Sequence, residues 1–193
     1  MVIGVLALQG AFIEHEEAIH RLGADTVQLR NANDLNQHLD GLILPGGEST
    51  VQGKLLRELN MLEPIKELIT QGLPVLATCA GMILLADKIE DDDTIHLGTF
   101  PICVKRNAYG RQLGSFRTVA NMAGIGTIPM TFIRAPYVSY IEDDNVNILC
   151  SVNDKITGVQ FQNQIALAFH PELDIHQGLE SLAVHQYFLN LCE

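Results

Sequence analysis

Basic residues are scarce in this 193-residue chain: 12 Lys and Arg stand against 23 Asp and Glu, for a formal net charge of −11. The few cations are scattered, so the electrostatic footprint of a nucleic-acid partner is missing. Long apolar runs are missing as well. Met1 leads into Val2-Ile-Gly-Val-Leu-Ala-Leu8, which is too short to span a bilayer, has no basic residues in front of it and runs into polar Gln9-Gly10 rather than a cleavage site. That stretch reads as a core strand, and the expectation is a cytosolic (cytoplasmic) protein with no membrane partner. Cys-x-x-Cys spacing is absent too. Cys79, Cys103, Cys150 and Cys192 lie far apart, which fits reduced thiols better than a disulfide framework or a zinc site, so no metal is expected. Neither a linker nor an internal repeat interrupts the chain, and its one low-complexity run, Glu90-Asp-Asp-Asp93, reads as a solvated loop.

Hydrophobic residues make up 47% of the chain, enough for one substantial core, and the expectation is one domain over residues 1–193. In the first half short apolar runs alternate with helical patterns. Strands are expected at Val2–Leu8, Thr26–Leu29, Gly41–Leu44 and Pro74–Thr78, and helices at Ala11–Leu22, Thr50–Leu59, Leu62–Gln71 and Gly81–Asp87. Such alternation argues for a parallel sheet covered on both faces. From Ile95 the texture changes to strands punctuated by Gly, Asn and Asp, including Val146–Val152, Ile156–Gln162 and Ile165–Ala168, with a hairpin turn at Gln162-Asn-Gln164. A terminal helix over about Gln177–Leu191 closes the chain. In an open α/β sheet, ligands bind beyond the carboxyl ends of the strands. Gln9-Gly10, Pro45-Gly-Gly-Glu-Ser-Thr50 and Cys79-Ala-Gly81 each follow an expected strand and should converge there.

Cys79 sits in Ala77-Thr-Cys-Ala-Gly81, between an apolar strand and the helical Met82-Ile-Leu-Leu-Ala86. Small neighbours suit a tight strand-to-helix turn, and the free N–H groups of the first helical turn favour a thiolate, so Cys79 is the candidate nucleophile. The bland alternative is a small buried hydrophobe. A second segment is Ala166-Leu-Ala-Phe-His-Pro-Glu172. Pro171 disfavours helix at His170, and two residues apart in extended chain His170 and Glu172 share a side, so the carboxylate can orient an imidazole whose other nitrogen faces a thiol. The alternative is a histidine that caps a loop. In the third segment, Leu44-Pro-Gly-Gly-Glu-Ser-Thr50, paired glycines can turn N–H groups toward a developing oxyanion; the alternative is an ordinary tight turn. A phosphate loop is rejected, because five residues separate Gly47 from Gly53-Lys54 and Leu55 stands where Ser or Thr should follow. In Glu14-His-Glu-Glu-Ala-Ile-His20 the histidines are five apart, which misses the zinc-protease spacing of four, and the segment reads as a solvated helix face. His38, His96, His176 and His185 are left structural, with no partner identified.

Together, Cys79 in Thr-Cys-Ala-Gly, His170-Pro-Glu172 and the Pro-Gly-Gly-Glu-Ser-Thr loop resemble class I (triad-type) glutamine amidotransferases. The resemblance covers essentially the whole chain. Within that family the resemblance is specific to the glutaminase subunits of pyridoxal 5′-phosphate synthase, through Gly4-Val-Leu-Ala-Leu-Gln-Gly10, Leu42–Thr50, Gly53-Lys-Leu-Leu-Arg57, Asn107–Phe116 and Phe132-Ile-Arg-Ala-Pro136. Many other members carry Gly-x-Cys-x-Gly-x-Gln at the elbow, whereas this chain has Ala77 and Ile83 at the ends of that pattern. The resemblance implies a three-layer, flavodoxin-like α/β fold, mostly parallel with a mixed or antiparallel C-terminal part. It also implies Cys79 as nucleophile, His170 as general base and acid, and Glu172 as its orienter. Gly47, Glu48 and Ser49, with Arg106, Ile133 and Arg134, would contact L-glutamine, and backbone N–H groups of Gly47 and Ala80 would hold the oxyanion. By charge, Glu48 suits the substrate ammonium and Arg106 its carboxylate. The implied activity is hydrolysis of glutamine to glutamate and ammonia through a glutamyl thioester, without a cofactor, with ammonia channelled to a (β/α)8-barrel synthase subunit in a large hetero-oligomer. The rivals are a glutamine-binding regulatory subunit without turnover, and a Cys-elbow peptidase or deglycase on a related fold. In the latter the elbow cysteine is typically followed by His, and here Ala80 follows.

Overall fold

The computed structural model describes residues 1–106, 114–175 and 182–193. Five strands form its parallel core: β1 (Val2–Leu6), β2 (Asp25–Leu29), β3 (Gly41–Leu44), β4 (Val75–Thr78) and, late in the chain, β12 (Gln164–Leu167). They lie side by side in the order β2-β1-β3-β4-β12, all parallel. Every residue of β3, β4 and β12 is buried, which is why these segments read as continuous apolar runs without alternation.

The chain leaves β1 through α1 (Phe12–Arg21) toward one edge, and leaves β3 through α2 (Ser49–Glu58) and α3 (Leu62–Thr70) toward the other. Crossovers of the usual right hand then place α1 and the α2/α3 pair on opposite faces, which gives three layers. The direction reverses between β1 and β3, so a crevice opens at their carboxyl ends. The short helix α4 (Ala80–Leu85) follows β4 at that edge, and α5 (Ala183–Leu189) lies on the α1 side, where His185 meets His15.

The sheet continues past β12 with β11 (Lys155–Phe161), β9 (Tyr137–Ile141), β6 (Phe100–Lys105) and β5 (Ala86–Ile89), and β10 (Asn147–Val152) also pairs with β11. Here the pairing is antiparallel except between β5 and β6. A separate antiparallel hairpin, β7 (Ser115–Met122) with β8 (Gly126–Ile133), projects its end toward the crevice.

Most expected elements are present with ends shifted by one or two residues. Three of the differences bear on the site or on the terminal helix. The helix expected to reach Asp87 ends at Leu85, because Ala86 starts a strand paired with Phe100. β12 stops at Leu167, so His170 stands beyond the strand, at φ −112° and ψ 85°, on the threshold of a 3-10 turn at Pro171–Leu173. The terminal helix begins at Ala183 among the described residues, and the expected start near Gln177 lies outside them.

Candidate active site

Cys79 is the residue between β4 and α4, with φ 48° and ψ −100°. A positive φ is strained for a residue with a side chain, and here it turns the thiol out of the sheet edge at the mouth of a helix. The elbow is held by the Cys79 N–H donating to the Leu167 carbonyl at 2.7 Å and by close packing of α4 on β3. A Cβ at Gly81 would stand 2.1 Å from the Leu44 carbonyl oxygen, so only glycine fits there. Ala80 opens α4, and its N–H has no intrahelical acceptor.

His170 lines the same cleft as Cys79, whose Sγ lies 3.9 Å from the Ile133 carbonyl oxygen, and the imidazole Nδ1 is 2.7 Å from Glu172 Oε1. The pairing is made by a 3-10 turn rather than by the extended chain expected from sequence: Pro171 starts the turn and brings Glu172 back beneath the imidazole. The His170 N–H donates to the Thr131 carbonyl of β8 at 2.8 Å, which fixes the backbone of the pair. Burial opposes an imidazolium at His170, but Cys79 and Glu172 outweigh it and push the group up to about 10. Burial also pushes the Glu172 carboxyl up, with His170 pulling it back. The buried pair therefore keeps one proton at neutral pH, and the charge-assisted bond seats it on the imidazole.

Cys79 and His170 form the floor of a cleft of about 330 Å³. Gly47, Glu48, Ser49, Arg106, Ile133 and Arg134, six of the positions singled out in the sequence, line it together with Gln9, Thr50 and Ile83. The three loops after β1, β3 and β4 thus do converge. Gln9 ties two of them together: its Oε1 accepts the Glu48 N–H at 2.7 Å, and its carbonyl accepts from buried Gln52 at 2.8 Å. The charged groups are already paired. Arg134 donates to Glu48 at 3.0 Å across the rim, and Arg106 forms a close ion pair with Asp92.

One reading of the sequence is corrected here. The segment from Glu14 to His20 is not wholly a solvated face, because His15 is fully buried next to Glu172. Its Nε2 lies 3.2 Å from Thr78 Oγ1 and 3.4 Å from Glu172 Oε2, and its Nδ1 lies 2.9 Å from Nε2 of His185, which is fully buried too. Phe12, His15, Ala18, Ile19 and Leu22 recur at helical spacing, and that was the signal in the sequence. For His185 no local signal exists, since its partner is 170 residues away. His176 lies outside the described residues, and no cluster of His, Cys, Asp or Glu among the described residues has the makings of a metal site. No helix among the described residues is long and apolar enough to cross a membrane.

The chain is similar over its whole length to known proteins. A pyridoxal 5′-phosphate synthase subunit PdxT from Desulfitobacterium hafniense (strain DSM 10664 / DCB-2) is 56% identical over 190 residues, covering 98% of this chain and 92% of the relative. The PdxT of Haemophilus influenzae (strain PittGG) is 54% identical, with 100% of this chain and 99% of the relative covered. A crystal structure of a glutamine amidotransferase superposes with a TM-score of 0.91 at 39% identity, covering 100% of this chain and 99% of that one. Residues 5–193 match the SNO glutamine amidotransferase family, and the chain belongs to that family.

Proposed function

We propose that Cys79, His170 and Glu172 hydrolyse the side-chain amide of L-glutamine and that the ammonia passes to a synthase subunit that makes pyridoxal 5′-phosphate. The observation that carries this reading is the strained elbow cysteine beside an imidazole whose Nδ1 is held 2.7 Å from a buried carboxylate. The family and the named relatives supply the substrate and the pathway.

In the proposed reaction Cys79 Sγ, facing the His170 imidazolium, attacks the amide carbon. The oxyanion is held by N–H groups of Ala80, at the head of α4, and of Gly47. His170 gives its proton to the departing nitrogen, ammonia leaves, and a glutamyl thioester stays on Cys79. His170 next takes a proton from water, the hydroxide adds to the thioester carbonyl, and collapse releases glutamate and frees the Cys79 sulfur beside the protonated ring. Glu172 orients the ring throughout. The rim charges suit the zwitterionic end of glutamine, with Glu48 toward the ammonium and Arg106 and Arg134 toward the carboxylate. Each must exchange its present partner for substrate.

The synthase subunit, read as a (β/α)8 barrel in a hetero-oligomer, would dock at the carboxyl edge of the sheet, around residues 9–12, 45–53 and 106–116. Of these, residues 107–113 lie outside the described residues. The Gly46 carbonyl accepts from the Ala11 N–H at 3.2 Å, which links the orientation of the Gly46-Gly47 peptide to the first turn of α1 at that surface. A misdirected oxyanion donor costs on the order of 10²–10³ in rate, so reorientation of this one peptide on docking is a sufficient switch. Glutamate release should be slow for the isolated chain and rise with saturating synthase, and His170→Asn should bind glutamine with turnover collapsed in both conditions. Equal rates for the wild-type chain with and without synthase would overturn the coupling, and near-normal turnover by the variant would overturn the triad.

A further inference from the structure

The triad rests on a second layer of buried histidines that the reaction described above does not use. His15 comes from α1, Thr78 from the end of β4, Glu172 from the 3-10 turn and His185 from α5, and all four are buried. Thr78 Oγ1 accepts the Gly46 N–H at 3.0 Å and lies 3.2 Å from His15 Nε2, while the same Nε2 lies 3.4 Å from Glu172 Oε2. Glu172 Oε2 has no hydrogen-bond partner among the described residues, and His15 Nε2 faces it as an electrostatic contact. We propose that neutral His15, as its Nε2–H tautomer, is a positioning residue: one N–H, bonded to Thr78 Oγ1 and presenting its positive end beside Glu172 Oε2, steadies the triad carboxylate and the first glycine of the oxyanion loop together.

The tautomer follows from the surroundings. Were Nε2 bare, its lone pair would face a carboxylate oxygen in a dry interior. With Nε2–H present, Nδ1 must accept, so His185 Nε2 donates across the 2.9 Å contact. That leaves His185 Nδ1 without a proton, and it is the atom of that ring with no partner among the described residues. A bare ring nitrogen is a cheaper orphan than a buried N–H. Burial, with His185 and His170 adding to it, holds His15 well below the ordinary histidine range, so the ring stays neutral. Burial likewise lowers His185 to about 4. Nε2 is hydrogen-bonded to Thr78 Oγ1 at 3.2 Å, and Glu172 Oε2 stands 3.4 Å from the same nitrogen as an electrostatic contact outside hydrogen-bond geometry.

This role rests on the triad reading, and the test separates the two. His15 is absent from the walls of the cleft, so its loss should act on turnover and not on binding. In the complex with synthase, His15→Phe should lower kcat on the order of 10- to 100-fold, the scale of one polar contact with a charged group, with KM unchanged. His15→Gln, which returns an N–H near the position of Nε2, should recover most of that loss. Thermal melting of each variant reports folding separately. Nitrogen-15 spectra of the histidines in the wild-type chain need no variant, and they should show His15 protonated at Nε2 only. An Nδ1–H or doubly protonated His15, or full kcat in a folded His15→Phe, would overturn the inference while leaving the triad standing. The triad itself would fall if His170→Asn kept its turnover in the same assay.

Discussion

Gly46 and His170 are in contact: a Cβ placed on Gly46 would stand 2.3 Å from Cε1 of the imidazole. The loop that carries the proposed oxyanion donor and the imidazole proposed to move the proton are therefore one packed unit. Gly46→Ala should displace the ring by a fraction of an ångström or more and lower kcat by roughly 10²-fold, the scale of a 1 Å misplacement. Melting should change far less than activity. Wild-type kcat in this variant would show that the loop and the ring have slack between them.

The thiols should differ sharply in reactivity. Burial pushes Cys192 up to about 12, helped by Asp40, and burial pushes Cys150 up as well, so both are protonated near pH 8. Cys79 alone has the strand-turn-helix setting that faces a histidine. A glutamine-mimicking electrophile should label Cys79 ahead of Cys103, Cys150 and Cys192, as read by peptide mapping. Preferential labelling at another cysteine would remove Cys79 as the nucleophile.

Substrate binding should compete with ion pairs already in place. Arg106 is bound to Asp92, so Asp92→Asn should free it for the glutamine carboxylate and lower KM a few-fold, whereas Arg106→Ala should raise KM on the order of tenfold with a smaller effect on kcat. The Glu48 and Arg134 pair is largely exposed, so removing either should cost little stability and be read in KM. An unchanged KM in Arg106→Ala would take that residue out of the substrate site.

How much of this was legible in the sequence depends on the residue. The buried strands β1, β3 and β4 announce themselves as short apolar runs, and Cys79, His170 and the Gly46-Gly47 loop each stand where a turn or a proline marks a strand end. The end of α4 does not, because all six of its residues are buried and no apolar face distinguishes helix from the strand that follows. Ala86 becomes a strand only through its pairing with Phe100, a contact that no local pattern encodes. His15 was hidden by its charged neighbours Glu14, Glu16 and Glu17, although its spacing with Ala18 and Ile19 placed it on the buried stripe. The existing partners of Arg106 and Glu48 are tertiary contacts, so the sequence shows the charges but not the exchange that binding requires.

Stability should peak near neutral pH. His170 is raised to about 10 in the folded chain against 6.5 when unfolded, so its contribution is complete below about 6.5 and is lost as pH rises toward 10. His185, lowered to about 4, acts in the opposite sense together with His15. Their burial as neutral rings costs stability as pH falls below 6.5, where the unfolded chain takes up protons that the folded chain refuses. The melting temperature should fall on both sides, and His170→Asn should act chiefly on the alkaline limb, with a smaller easing of the acid limb because His170 no longer helps to hold His15 low. An alkaline limb unchanged in that variant would show that the His170 proton does not stabilise the fold.

Covalent catalysis at Cys79 can be trapped by acid-quenching the chain and its synthase during turnover of glutamine and mapping the peptides by mass spectrometry. A glutamyl adduct should be found on the peptide that contains Cys79, and Cys79→Ala should release no glutamate in the same mixture. Turnover sustained by Cys79→Ala, or an adduct on Cys103, Cys150 or Cys192 instead, would contradict the account.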